Sequence, residues 1–353
     1  MKRNEKSIKK SFAGANTGKG FVSFYDAIFP EEKLEGLYII KGGSGTGKST
    51  FMKNLSNAAI KKGHKTEHYL CGSDAGSLDG IIINGRTGKK VGVIDGTPPH
   101  PREFRCPGAA GDILNFGMFW DSKGLRSIRQ DIDLIVNEKS VYFDTAYRYL
   151  GAVGKISSHI YNMAEEMYLR EKGSAAAKRL VDQVGMKGNC SYRQLTGYTM
   201  NGAIQIPPKD GEVREFLLSG NKEIASLFLS DVVKHISEGA VSAEIDLSPI
   251  DMKHILGIYF PGSNVWLHIG EGDGEKIINT RRFIDKDIEV QYRQRLRFGR
   301  KCMTSLEDGA LTALSGAKEK HFMLEEMYGR YMNFDALAEQ SALWYSEILS
   351  RLD

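Results

Sequence analysis

Eight consecutive residues, Gly42-Gly43-Ser44-Gly45-Thr46-Gly47-Lys48-Ser49, have the types and spacing of a phosphate-binding P-loop. Glycines let such a backbone curl until successive N–H groups point inward at phosphate oxygens. The start of a following helix adds partial positive charge there. Lys48 is placed to reach the β- and γ-phosphates of a nucleoside triphosphate, and the Ser49 hydroxyl to hold Mg²⁺. The expected nucleotide-binding set therefore runs from Gly42 through Thr50. The flanks agree with that reading. Residues 37–40 are apolar and strand-like, and 51–62 read as a helix with Phe51, Leu55 and Ala59 at four-residue spacing.

A carboxylate for the metal is expected at the end of a hydrophobic strand. Val91-Gly92-Val93-Ile94-Asp95 fits, with room for one helix and one more strand between Lys48 and Asp95. Many P-loop ATPases carry Glu directly after this Asp to position the attacking water. Here Gly96-Thr97-Pro98-Pro99-His100 follows, so Thr97 or His100 becomes the candidate γ-phosphate sensor. Asp74 and Asp79 are further candidates. They follow a strand read over 65–70, and loops after strand C-termini collect at the ligand crevice of open α/β sheets. Either would orient water or activate an acceptor hydroxyl. The plainer alternative for each is a turn aspartate that caps a short helix. Arg102 and Arg105 would contact an anionic acceptor, or would be ordinary loop charges. The segment Asn16-Thr17-Gly18-Lys19-Gly20-Phe21 would cover the base, with Phe21 or Phe24 stacked on it, or form a packed hairpin.

The elements that position these residues occur twice. Tyr38-Ile39-Ile40-Lys41-Gly42 answers Phe216-Leu217-Leu218-Ser219-Gly220, and Gly80-Ile81 answers Gly257-Ile258. Phe12-Ala13-Gly14 answers Leu195-Thr196-Gly197, and Val93-Ile94-Asp95-Gly96 answers Ile269-Gly270-Glu271-Gly272. Glu165-Glu166-Met167-Tyr168 recurs verbatim at Glu325-Glu326-Met327-Tyr328. A collinear series of this kind argues for a duplicated unit. The boundary is expected near Lys187–Ser191, giving domains 1–190 and 191–353. Each copy would begin as an α/β portion and end in helices, over 125–186 and 289–352. The second copy has no Gly-Lys-Ser/Thr triplet, and Glu223 would bring a negative charge to the phosphate seat. One competent and one degenerate site are expected.

Length and composition set the frame. A chain of 353 residues with 41% hydrophobic content suits two domains with buried cores. Its net charge of +4 is a mild excess, and nucleic acid is not an expected partner. Lys2, Arg3, Lys6, Lys9 and Lys10 read as a solvated arm. A basic stretch from Arg281 to Lys301 reads as a solvated helix face, with an in-chain arginine finger onto the first site as the alternative. No apolar run is long enough to span a bilayer, no secretory leader is evident, and the four scattered cysteines suggest no disulfide frame or zinc site. A cytoplasmic protein is the expectation.

Phe12-Ala13-Gly14-Ala15-Asn16-Thr17, the glycine loop, Ser77-Leu78-Asp79-Gly80 and the run from Asp95 through Pro101 together resemble a bacterial family of tandem P-loop ATP-binding proteins, found notably in Firmicutes. The resemblance covers nearly the whole chain and departs from the family where the second P-loop is lost. It implies ATP and Mg²⁺ but no particular acceptor, and no guanine-reading Asn-Lys-x-Asp motif is present. The expected fold is an internally duplicated α/β P-loop NTPase with parallel sheets and helical extensions. The expected function is an ATPase or ATP-driven switch. A small-molecule kinase and a non-hydrolysing nucleotide sensor stand as alternatives, and homo-oligomerisation is left open.

Overall fold

A computed structural model describes residues 8–99, 101–185, 189–209, 212–236 and 243–352. Two similar α/β halves follow one another. The first runs β1 (Lys9–Phe12), β2 (Gly14–Thr17), β3 (Gly20–Ser23), α1 (Tyr25–Ile28), β4 (Gly36–Lys41), α2 (Lys48–Lys61), β5 (Lys65–Leu70), β6 (Leu78–Asn84), β7 (Lys90–Asp95) and β8 (Gly111–Asn115). It ends in α3 (Ser122–Ser127), α4 (Arg129–Met167) and α5 (Arg170–Val184). The second runs β9 (Cys190–Tyr192), β10 (Thr196–Thr199), β11 (Gly202–Gln205), β12 (Arg214–Ser219), α6 (Lys222–His235), β13 (Ala243–Leu247), β14 (Ile255–Phe260), β15 (Val265–Ile269) and β16 (Lys276–Asn279). It ends in α7 (Lys286–Gly329) and α8 (Phe334–Ser350).

The strand orders are β1-β5-β6-β7-β4-β8 and β9-β13-β14-β15-β12-β16, the same order twice. The expected parallel sheets need correction. Both are mixed, because β6 and β14 run antiparallel to both neighbours while every other pair is parallel. The cause is connection length. Only residues 71–77 separate β5 from β6, and a parallel crossover needs a dozen or more. Two strands, not one, therefore lie between α2 and β7. The basic arm is also corrected in part. Lys9 and Lys10 belong to the edge strand β1, and Lys9 pairs with buried Glu244 of β13. Lys2, Arg3 and Lys6 lie outside the described residues.

The helical tails exchange partners. Leu337, Ile348, Leu349 and Leu352, from α8 and the residues just after it, pack with Phe51, Met52 and Leu55 of α2 and with Tyr38 and Ile40 of β4. Ala177, Leu180 and Val181 of α5 pack with Phe216 and Leu218 of β12 and with Ile224 and Phe228 of α6. Each sheet thus has one face closed by a helix from the other copy's sequence. The crossing points are backbone hydrogen bonds in matched pairs. Asn333 N–H donates to the Phe119 carbonyl as Leu169 N–H donates to Phe283, and Asp121 N–H to Tyr331 as Asp285 N–H to Met167. Between the crossings, α4 and α7 pack antiparallel, with 39 and 44 residues, roughly 58 and 66 Å at 1.5 Å per residue. Glu138 of α4 meets Lys320 of α7 at 2.6 Å, and Tyr149 and Ile160 of α4 lie over Gly309 and Gly299 of α7.

These pairings fix the internal register. Asp121 answers Asp285 and Phe119 answers Phe283, a shift of 164 residues that also relates Met167 to Tyr331. The verbatim Glu-Glu-Met-Tyr repeat, 160 residues apart, is therefore one helical turn out of structural register. The N-terminal match slips by one residue as well. Thr17 Oγ1 donates to the Gly20 carbonyl as Thr199 Oγ1 donates to that of Gly202, so Gly14 answers Thr196.

Two predictions follow from the seam between the halves. Ile348→Ala is expected to cost about 2–5 kcal/mol. Hydrogen exchange should then rise in β4 and α2, and a rise confined to β12–β15 would contradict the exchange. Asp246, fully buried, accepts hydrogen bonds from Leu195 N–H, Thr196 N–H and Thr196 Oγ1. Burial pushes its carboxyl up to about 6 against those bonds. A raised folded value means its stabilising contribution is full below about pH 4 and lost as pH rises through 6, at a cost of roughly 3 kcal/mol. Asp246→Asn should flatten the stability profile between pH 4 and 6. An unaltered slope there would show that Asp246 titrates normally.

Candidate functional site

The glycine loop spans the six residues between β4 and α2. Gly45 and Gly47 take left-handed φ values of 67° and 83°, which side-chain-bearing residues seldom adopt. Thr46 Oγ1 donates to the Gly43 carbonyl at 2.9 Å and closes the curl. Gly47 is the N-cap of α2, so no side chain caps this helix start. Exposed first-turn N–H groups and the helix dipole make such an end an anion seat.

Lys48 lies folded into the loop. Its ammonium donates to the carbonyls of Gly42 at 3.1 Å and Gly43 at 2.6 Å, and stands 3.4 Å from Asp95 Oδ2. Asp95 ends β7 beside β4, paired with Ile40. Its Oδ1 accepts from Thr97 N–H at 3.0 Å and Thr97 Oγ1 at 2.6 Å. Thr97, a candidate γ-phosphate sensor by sequence, bonds the Asp95 carboxylate here. Lys41 braces the same turn by donating to the carbonyls of Gly96 and Arg102. Ser49 Oγ accepts from Leu78 N–H at 3.0 Å, which brings the start of β6 against α2.

Asp79 joins this group. Gly80 of β6 pairs with Ile94 of β7, so Asp79 and Asp95 lie opposite one another, and opposed residues share a sheet face. Both are buried, and the Tyr25 hydroxyl bridges their carbonyl oxygens at 2.8 and 3.0 Å. Asp74 is placed differently. It holds its own turn, accepting from Gly76 N–H and Ser77 Oγ, and it accepts from Asn201 of the second half's β10–β11 hairpin. Burial alone would raise its carboxyl; those bonds and nearby His321 outweigh burial and lower it. His100 lies outside the described residues.

Other candidates fall elsewhere. Arg102 pairs with Asp26 at 2.5 Å, on the surface. Asn16 is buried and bonds the carbonyls of Gly72 and Tyr198, while Phe21 packs over Gly14 and Gly72, so that segment is a packed hairpin. No arginine of the Arg281–Lys301 stretch approaches the loop. The second-half residues that do belong to the far end of α7 and to α8: a Cβ on Gly45 would fall on the Glu325 carbonyl, Tyr328 covers Gly43, and Phe334 and Leu337 flank Gly47. Arg300, about 37 Å back along α7 from Glu325, instead meets Glu223 at 2.7 Å. Sequence reasoning missed Lys139 of α4. Burial lowers its ammonium pKa, Cys71 and Glu325 oppose the shift, and Lys48 adds to it, which places this second cation within electrostatic reach of Lys48.

The second half provides an internal control. There the six-residue loop is two residues, Gly220-Asn221, and the Asn221 side chain caps α6 by accepting from Ile224 N–H at 3.0 Å. Lys222 retains the place of Lys48, and Glu223 replaces Ser49. Leu218 of β12 pairs with Ile269 as Ile40 pairs with Asp95, so Ile269 replaces Asp95. That moves the sequence match of 93–96 by two residues. Leu256 replaces Asp79, because Gly257 pairs with His268 as Gly80 pairs with Ile94. Asp251 answers Asp74 and caps its turn in the same way, accepting from Lys253 and His254 N–H.

The donor set fits a hydrated hard cation. Mg²⁺ needs one or two protein oxygens plus substrate phosphates, and Ser49, Asp95 and Asp79 offer those. Among the described residues no cluster of three or more His, Cys, Asp or Glu would form an all-protein metal cage, and no helix is long and apolar enough to cross a membrane. No protein family, curated protein or solved structure matches the chain.

Gly45→Ala tests the packing of α7 on the loop. It adds strain at positive φ and a collision with Glu325, whereas Gly88→Ala adds only strain, at φ 90° in open space. Urea unfolding should show a loss of about 1–3 kcal/mol for Gly45→Ala, larger than for Gly88→Ala. Equal losses would remove the Glu325 contact from the account.

Proposed function

We propose that the first half is a P-loop nucleotide site that binds Mg·ATP and acts as an ATPase or ATP-driven switch. One observation carries the reading. Within a single chain, the glycine loop, the uncapped helix start, Ser49, Asp79 and Asp95 occur together in one half and are absent together from the other. The turn aspartate, which has no need of a ligand, stays in both as Asp74 and Asp251.

In this reading the backbone from Gly42 to Gly47 wraps the phosphates, and Lys48 turns from its own loop carbonyls to the β- and γ-phosphates. Ser49 and Asp95 hold Mg²⁺, which supplies charge neutralisation on the phosphate oxygens. Asp79, beside Asp95, orients water, and Thr97 holds Asp95 in place. Asp74 takes no part in chemistry, because its oxygens serve the turn and Asn201.

Phosphate release from Mg·ATP by the wild-type protein should exceed that of Lys48→Ala by about a hundredfold or more. Thermal shift by Mg·ATP should vanish in the same variant. A shift without release would move the assignment to a nucleotide sensor. Neither shift nor release in the wild type would overturn the site.

A further inference from the structure

The reciprocal exchange leaves a groove beside the glycine loop. It lies between the 3₁₀ turn Phe116–Phe119 with the corner after it and the approach to α8. Met118, Phe119, Trp120, Tyr331, Met332 and Phe334 line it beside the charged Asp121, Arg330 and Asp335, and this open groove has a volume of about 740 Å³. Its two walls come from different copies of the repeat, joined by the bridge between Trp120 and Met332. Both walls touch the loop. The Trp120 ring stands 3.5 Å from where a Cβ of Gly43 would sit, and Phe334 stands 3.8 Å from the same point on Gly47. The groove therefore adjoins the glycine loop.

Its lining is unusual for a surface. Met118 is 64% and Phe334 46% exposed. Trp120 Nε1 is buried with no hydrogen-bond partner among the described residues. The internal control applies here too. Under the shift of 164 residues, Met118 answers Arg282, Trp120 answers Ile284 and Phe334 answers Arg170. Arg282 and Arg170 lie over their own neighbours, Phe283 and Tyr168, and Ile284 is buried. An exposed aromatic and thioether lining thus accompanies only the half with the glycine loop.

We propose, resting on the phosphate-site reading, that this groove holds the purine base of the bound nucleotide, stacked against Phe334 and Trp120. Base faces stack well on aromatic side chains. The carboxylate of Asp121 serves as a helix cap, bonded by Lys123 and Gly124 N–H, and the Asn333 side-chain Oδ1 caps α8 by accepting from Ala336 N–H. Those two groups are committed to the fold, and Arg330 is paired with Glu326, so stacking carries the recognition, with Asp335 the remaining charge on the rim. Base binding would then clamp α8 to the first half.

Calorimetric titration with Mg·ATP and with Mg·tripolyphosphate, the phosphate chain without a base, separates the two parts of the site. The wild-type protein should bind ATP more tightly than tripolyphosphate. Phe334→Ala and Met118→Ala, both at exposed positions, should lose about tenfold for ATP and nothing for tripolyphosphate. Phe334→Arg, which installs the second half's residue type, should do the same. Equal wild-type affinity for the two ligands would overturn the base subsite and leave the phosphate site standing. Variants that weaken both ligands alike, or neither, would also overturn it. A wild-type protein that binds neither ligand would remove the phosphate site, and the base subsite with it.

Discussion

Two backbone hydrogen bonds, Asn333 N–H to the Phe119 carbonyl and Leu169 N–H to the Phe283 carbonyl, seat the final helix of each repeat on the sheet of the other. Everything else in the molecule is arranged around that exchange. Leu337, Ile348, Leu349 and Leu352 would be an exposed apolar stripe if α8 stayed with its own repeat. At about 2 kcal/mol for each buried side chain, the four contribute on the order of 8 kcal/mol. That is comparable to the whole net stability of a typical domain. Neither α/β body closes its core from its own sequence, so the repeats fold as an interlocked pair, with α4 and α7 as the struts between them.

The same seam brings the second half to the glycine loop. Gly43, Gly45 and Gly47 present backbone where any side chain would meet Tyr328, the Glu325 carbonyl, or Leu337 and Phe334. The loop is thin for two reasons at once. Its outer side lets the end of α7 approach the backbone, and in the proposed function its inner side lets N–H groups approach an anion. The end of α7 that packs on the loop belongs to a helix that runs without a break back to Arg300, which meets Glu223 of α6.

Much of this was legible in the sequence where local pattern and local structure coincide. The strand at 65–70 is β5, and the strand and helix around the glycine loop are β4 and α2. Repetition was legible too, although its most conspicuous signal, the Glu-Glu-Met-Tyr pair, sits a helical turn out of register. Helix surfaces tolerate such offsets, whereas strand register does not, because one residue's slip turns every side chain to the other face. Asp79 lies inside β6, one residue after its start at Leu78, and not in the loop before it; the run Leu78 to Ile83 carries that signal in its apolar residues. The exchange was not legible. The apolar stripe of α8 says that a face is buried and not which sheet buries it. Lys139 was hidden for a related reason, since one lysine in a long charged helix looks solvated until α4 is placed over Cys71 and Lys48.

The two halves have diverged toward opposite solutions of one electrostatic problem. A helix start beneath a β-strand end concentrates unsatisfied N–H groups, and something must answer them. In the second half the chain answers them itself. Asn221 caps α6, Thr280 Oγ1 ties the Ser219 and Asn221 carbonyls, and Glu223 takes Arg300 as its counter-charge. In the first half no side chain caps α2, and Lys48 turns back onto carbonyls of its own loop and toward Asp95. Self-satisfaction makes the second half a support whose geometry is independent of any ligand. The uncapped helix start leaves the first half with binding free energy to gain, and a ligand that binds the folded form alone stabilises it by mass action. Because α8 and the end of α7 are seated on that half, a ligand bound there would stabilise elements encoded in the second repeat as well.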